Sequence, residues 1–239
     1  MKKKMIIIGG GISGIYLSIL LKKYLDIDVV VLEANDKPLK KLLATGNGRC
    51  NLSNKDLDKS HYDGEIKPWV SDIIHHFDIV EALKNIGLYT KYMGNLLYPY
   101  SESAKAVQTL FLNRAEEYGV EIICEEEVLS IKKNKHGYLI HAVNKDYQAD
   151  YVTIACGTPA GKLSSMKDRR ILFNSLKVDY RPMRPTITQL MTEPVYKKLK
   201  GVRMKGEFTL KGHTEKGELL FTDYGISGSD KEIRDRYDK

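Results

Sequence analysis

Short blocks of uninterrupted apolar residues alternate with stretches of helical period in the first part of the chain. Met5–Ile8 and Val29–Leu32 are largely β-branched runs with no polar face, the pattern of strands covered on both sides in a parallel sheet. Between them Ile15, Ile19 and the Lys22/Lys23 pair carry a helix to Tyr24. Val70, Ile73, Ile74, Phe77, Val80 and Leu83 recur at helical steps within Pro68–Gly87, which predicts one amphipathic helix closed by a glycine cap. A further helix is expected after a serine cap at Ser101 or Ser103, turning Val107, Leu110, Phe111 and Ala115 inward. From Val120 the period falls to two. The segments VEIIC, EVLSIKK, GYLIHAV and ADYVTIACG, with the turn NKHG between the second and third, read as a β-meander that crosses back into the sheet.

The junction between the first strand and helix carries the first chemical signal. Gly9, Gly11 and Gly14 have the GxGxxG spacing, and Glu33 stands 19 residues beyond Gly14 at the end of the second strand. Gly9 permits the tight turn, Gly11 lets backbone approach a pyrophosphate, and Gly14 lets helix and strand pack closely. The unpaired N–H groups of the helix start then face the phosphates. A carboxylate at position 33 can accept hydrogen bonds from the hydroxyls of an adenosine ribose, and an acid there argues against a 2′-phosphate. FAD or NAD is selected over NADP at this position. The chain next enters KKLLATGNGRCNLSN, residues 40–54. Lys40 and Lys41 can reach a diphosphate, Gly46 and Gly48 let backbone N–H groups turn toward an anion or a ring carbonyl, and Asn47, Arg49 and Asn51 add donors.

Composition narrows the class without naming a partner. The chain has 239 residues, 42 % of them hydrophobic, enough for one large domain or a domain with a smaller insertion. Lys and Arg outnumber Asp and Glu by 38 to 31, a net charge of +7 dispersed along the sequence, which gives weak support for an anionic ligand or RNA. Cys50, Cys124 and Cys156 are far apart and form no CxxC pair, so neither a zinc site nor a disulfide framework is suggested, and a reducing cytoplasm fits best. Cys156, in an apolar strand, reads as an inert thiol. The N-terminal lysines and the apolar run after them imitate a secretory signal, but no small-residue cleavage site follows and three glycines interrupt the run. It is also short of the roughly 20 residues a membrane span needs. His75 and His76 are sequence neighbours that cannot share one helix face, so a metal pair is not expected there.

Taken in order, GGGISG with Glu33, KKLLATGNGRCNLSN, LLYPYSESAKAV, VTIACG, KLKGV and LLFTDYGISG resemble the BaiN/RdsA-type family of NAD(P)/FAD-dependent oxidoreductases, also called aminoacetone-oxidase-like flavoproteins. The resemblance runs to Gly228. It implies an α/β fold: a Rossmann-like, three-layer FAD/NAD(P)-binding domain of the glutathione-reductase type, interrupted by a β-rich insertion. RPTITQL, residues 184–190, resembles the linker into that insertion, whose first strands would be GVRMKGEFTLK and KGELLFTDY around a turn at GHTEKG. The expected divisions are residues 1–182 for the FAD domain, 183–228 for the start of the insertion and 229–239 for a charged tail. It further implies a cytoplasmic flavoenzyme with FAD as cofactor, NAD(P)H as electron donor and a small-molecule substrate or ribosomal RNA as partner, with no metal and no membrane. The cofactor contacts fall to Gly9, Gly11, Ile12, Ser13, Gly14, Glu33, Lys41, Thr45, Gly46, Asn47, Gly48, Arg49, Cys50 and Asn51. Val128 is implied through its backbone at the adenine, and Ala155 and Gly157 at a strand end beside the dinucleotide. No residue is assigned to catalysis; Tyr224, in YGISG, reads first as a packed aromatic.

The chain also departs from the family pattern. Where relatives carry a glycine-rich turn it has Thr158 and SSMKDRRILFNS, and Leu39 stands where relatives commonly have glycine. After LLFTDYGISG relatives continue with a long segment that returns to the flavin, whereas here SDKEIRDRYDK follows, with Ile233 its one aliphatic residue. That tail is expected to be disordered or a solvated helix. The sequence thus reads as a shortened relative holding the ADP half of a flavin site and part of the flavin half.

Overall fold

The computed structural model describes residues 2–58, 62, 67–158, 170–179, 190–210 and 213–228. Two compact units divide the chain, residues 1–180 and 181–239. The first contains β1 (Lys3–Ile8), α1 (Ile12–Tyr24), β2 (Ile27–Leu32), α2 (Lys40–Ala44), β3 (Ser53–Asn54), α3 (Lys67–His76) and α4 (Ile79–Lys84). It continues with β4 (Thr90–Met93), β5 (Leu96–Pro99), α5 (Ala104–Glu117), β6 (Glu121–Ile123), β7 (Val128–Asn134), β8 (Gly137–Ala142), β9 (Asp146–Ala149), β10 (Tyr151–Ile154) and α6 (Arg170–Ser175).

The apolar runs form a parallel sheet in the order β10-β1-β2-β6. Alternation within each run sends side chains to opposite faces. Ile7, Val29 and Val31 pack with Ile15 and Ile19 of α1 and with Val107, Phe111 and Ala115 of α5. Ile6, Ile8, Val30 and Leu32 pack against Val128, Ile131, Ile140, Tyr147 and Leu172. Helices therefore cover one face and the antiparallel β7-β8-β9 meander the other. This is the three-layer Rossmann-like arrangement expected from sequence. Each fully buried aliphatic side chain contributes about 1.5–3 kcal/mol.

Local chemistry changes three of the sequence-based expectations and decides a fourth. The single helix predicted over Pro68–Gly87 is two, because Asp78 caps α4 by accepting from Val80 N at 2.9 Å and Glu81 N at 3.0 Å. The break leaves Ile73 and Phe77 exposed instead of inward, at 62 % and 49 %. VEIIC does not join the meander: β6 pairs with β2 in the parallel sheet. The segment after Lys40 is more ordered than a loop, with α2 followed by a 3-10 turn over Thr45–Gly48 and by β3, which pairs with β5 beside β4. Ser103, of the two candidate serines, caps α5 by accepting from Ala106 N at 3.2 Å.

The second unit contains β11 (Leu190–Met191), β12 (Arg203–Leu210), β13 (His213–Phe221) and β14 (Gly225–Gly228), an antiparallel sheet in the order β11-β14-β13-β12. The turn predicted at GHTEKG is mostly strand: β13 begins at His213 opposite Leu210, and Thr209 and Thr214 hydroxyls meet at 2.7 Å. All but Leu190 of the linker expected at residues 184–190, the expected boundary at 182/183, the first half of SSMKDRRILFNS, and the charged tail lie outside the described residues. No helix among the described residues is long and apolar enough to cross a membrane.

Candidate functional site

The carboxyl ends of β1, β2 and β10 converge on one open cleft, the position at which parallel α/β sheets bind ligands. The cleft has a cavity volume of about 230 Å³, and its walls include Gly9, Gly11, Ile12, Ser13, Glu33, Lys41, Thr45, Val128, Ala155 and Gly157. All ten were singled out in the sequence. Gly9 has φ +111°, and a Cβ there would lie 2.6 Å from the Ala155 carbonyl oxygen. A Cβ on Gly14 would meet the Gly9 carbonyl oxygen at 2.1 Å, so this glycine serves the strand-to-helix contact beneath the cleft. Gly11 has open space instead. It is the N-cap of α1, with no side-chain cap and no acid in the first turn, so the helix start presents unpaired N–H groups and its positive dipole end.

Glu33 is 7 % exposed and bonded on both carboxylate oxygens. Oε2 accepts from Gly10 N at 2.7 Å, while Oε1 accepts from Asn35 N at 2.8 Å and Asn35 Nδ2 at 2.6 Å. Glu126–Val128 also line the cleft, beside Glu33. This segment is gripped from two sides: Glu126 N donates to the Glu33 carbonyl at 2.9 Å, and Val143 N donates to the Glu127 carbonyl at 2.9 Å. The buried Glu126 carboxylate accepts from Asn144 N and Asn144 Nδ2, both at 3.0 Å. Burial works to raise its pKa, but these bonds and one from the Lys145 backbone hold it below the usual carboxylate range.

Three lysines, Lys37, Lys40 and Lys41, stand on the cleft wall. Lys40 pairs with Asp36, and Lys41 donates to the Thr158 carbonyl across the mouth. The hydrogen bond from Lys40 holds the Asp36 carboxyl below its ordinary range.

The rest of the glycine- and asparagine-rich loop stands apart from these walls. Gly46, Asn47, Gly48 and Cys50 all have positive φ, from +54° to +85°, so the backbone takes the left-handed form anticipated for the glycines. Gly46 packs near Tyr98 of β5 and Asn51 N, and Asn47, Gly48, Arg49 and Asn51 face solvent. Cys50 is fully buried, and burial pushes its thiol up. Cys156 lies on the cleft wall with Sγ 3.5 Å from the Ile8 carbonyl oxygen. Tyr224 belongs to the second unit, in the turn that joins β13 to β14.

Gly10, Asn35, Glu126 and Glu127 also line the cleft and were not selected from sequence. Asn35 could have been suspected as a short amide two residues past the key acid. The run Glu125–Glu127 gave no such signal, because adjacent acids at a strand start usually read as solvated.

Residues 3–181 match the family model described as HI0933-like protein Rossmann domain. The chain is 35 % identical over 233 residues to a 3-dehydro-bile acid delta(4,6)-reductase of Clostridium scindens, covering 93 % of this chain and 57 % of the relative. It is 24 % identical over 242 residues to a ribosomal RNA dihydrouridine synthase of Haemophilus influenzae, covering 93 % and 58 %. The chain thus spans somewhat over half the length of these relatives. Among solved structures, THI4 of Thermovibrio ammonificans aligns with TM-score 0.45 at 12 % identity, covering 74 % of this chain and 62 % of that one. With the family model covering the whole cleft-bearing unit, the chain belongs to the HI0933-like family that includes the BaiN- and RdsA-type proteins.

Proposed function

We propose that the cleft holds the adenosine diphosphate half of FAD and that this chain carries the cofactor-binding part of an FAD-dependent oxidoreductase. In this reading hydride passes from NAD(P)H, by way of flavin, to an electron-poor double bond of a small molecule. The observation that carries it is the convergence of an uncapped helix start, a buried ribose-type carboxylate and a meander edge on one cleft. The 35 % identity to a bile acid reductase supports the small-molecule class.

The residues fit the group. The N–H groups at Gly11, Ile12 and Ser13 would receive the pyrophosphate, where a helix start favours negative charge. Lys41 would add a point charge, exchanging the Thr158 carbonyl for phosphate oxygen. Glu33 would take the ribose, and the backbone at Val128 the adenine. When bound, the flavin supplies the hydride relay, and the protein supplies position and field. The loop at Gly46–Asn51 would approach the ring side, with its left-handed residues already in place.

The test is reconstitution. Purified protein mixed with FAD and freed of excess should be yellow, and Glu33→Gln should weaken both FAD and ADP by about tenfold, the scale of lost hydrogen bonds to a charged group. Colourless folded protein that takes up ADP and not FAD would make the chain a nucleotide-binding module without turnover. Protein that takes up neither would overturn the reading.

A second reading, reduction of uridine in ribosomal RNA, is favoured by two relatives named ribosomal RNA dihydrouridine synthase, at 24 % and 25 % identity, and by the net charge of +7. RNA affinity that falls steeply with added salt would support it, and RNA affinity indifferent to salt would exclude it.

A further inference from the structure

We propose that the Asn35 side-chain amide is a displaceable stand-in for one ribose hydroxyl, and that it sets how strongly the cleft distinguishes a ribose-bearing nucleotide from its deoxy analogues. This rests on the reading of the cleft as an adenosine diphosphate site. An ionised carboxylate offers about four lone-pair positions. Three positions on Glu33 are filled: one on Oε2 by Gly10 N, and both on Oε1 by the Asn35 backbone and side chain. One position is left, on Oε2. A ribose diol brings two hydroxyls, so the second must take a position already occupied.

The three donors differ in their freedom to leave. Gly10 N sits in the buried glycine turn, where even a Cβ would come within 3.0 Å of Glu33 Oε2, and the Gly10 carbonyl accepts from Leu39 N at 2.8 Å. Asn35 N is held in place because the Asn35 carbonyl accepts from Glu125 N at 2.9 Å. The Asn35 amide hangs on its own side-chain torsions at the cleft wall. It alone can rotate away without moving backbone. It also serves the carboxylate when no nucleotide is bound, because a buried carboxylate needs its lone pairs satisfied.

Exchange of one donor for another on the same charged oxygen is close to neutral. The hydroxyl that displaces the amide therefore adds little affinity, whereas the hydroxyl that meets the remaining position on Oε2 adds its full bond.

Calorimetric titration of the full chain with ADP, 2′-deoxy-ADP, 3′-deoxy-ADP and 2′,3′-dideoxy-ADP tests this. In the wild type, removing one hydroxyl should weaken binding about tenfold and removing the other less than about twofold. In Asn35→Ala both removals should cost about tenfold, so the preference for ADP over the dideoxy analogue rises about tenfold. Asn35→Gln, which restores a donor, should return toward the wild-type pattern. Both variants keep the two backbone bonds of residue 35. Equal losses for the two hydroxyls in the wild type, or an unchanged preference in Asn35→Ala, would overturn the inference while leaving the nucleotide site intact. Absence of ADP binding in every protein would overturn the reading of the cleft and the inference with it.

Discussion

Leu39 shows two opposing energies in one side chain. It has φ +60°, a conformation that costs a β-carbon residue about 1–2 kcal/mol, yet it is only 2 % exposed and belongs to the core beneath α2. Burial of a leucine is worth more than that strain once the cavity left by truncation is included. Leu39→Ala should therefore lower unfolding free energy by about 2–4 kcal/mol. Leu39→Gly removes one more carbon but releases the strain, and should be less damaging than Leu39→Ala by about 1 kcal/mol. Urea unfolding of the two variants checks the order, and a glycine variant weaker than the alanine one would show the left-handed backbone to be unstrained. The sequence pointed to this position because relatives commonly have glycine there. It could not show that the left-handed turn persists with leucine in place.

At the scale of elements, what was legible depended on whether a local signal had a competitor. The strands β1 and β2 were read correctly because a β-branched apolar run next to GxGxxG has few alternatives. The acid at Glu33 followed by counting from Gly14. The stretch around Phe77 was misread because helical periodicity runs straight through Asp78, whose capping bonds to Val80 N and Glu81 N become visible only in three dimensions. Asp78→Ala should cost about 1 kcal/mol by leaving those N–H groups unpaired, measurable as a lower denaturant midpoint with an unchanged slope. No such loss would mean that packing of Leu83 and Ile86, at 6 % and 2 % exposure, fixes α4 without the cap. The Glu126 wall was illegible for a related reason. Its partners Asn144 and Val143 come from the β8–β9 turn, and nothing in a run of three glutamates says which one will be buried.

For the whole cleft-bearing unit, the contact between meander and sheet makes stability depend on pH at both extremes. Tyr147 is 7 % exposed, and burial, followed by the charge of Glu126, pushes its phenol up to about 12. Its folded pKa is above the unfolded value near 10, so its contribution is complete below pH 10 and is lost as pH rises toward 12. A rise of that size corresponds to about 2–3 kcal/mol, a large share of the roughly 5–15 kcal/mol typical of a domain. Glu126 works in the opposite sense. Its folded pKa is depressed, so its contribution is present above the ordinary carboxylate pKa and is lost as pH falls through the folded one. Lysine deprotonation also weakens surface ion pairs in alkali, but that loss is common to wild type and variants. The informative quantity is therefore the difference between Tyr147→Phe and wild type across roughly pH 9 to 12, measured by equilibrium unfolding. The difference should shift in favour of Tyr147→Phe by about 2 kcal/mol over that range and stay flat below it. A difference that does not change with pH would mean that the phenol ionises in the folded protein as readily as in the unfolded chain, and that the meander does not shield Tyr147 in solution.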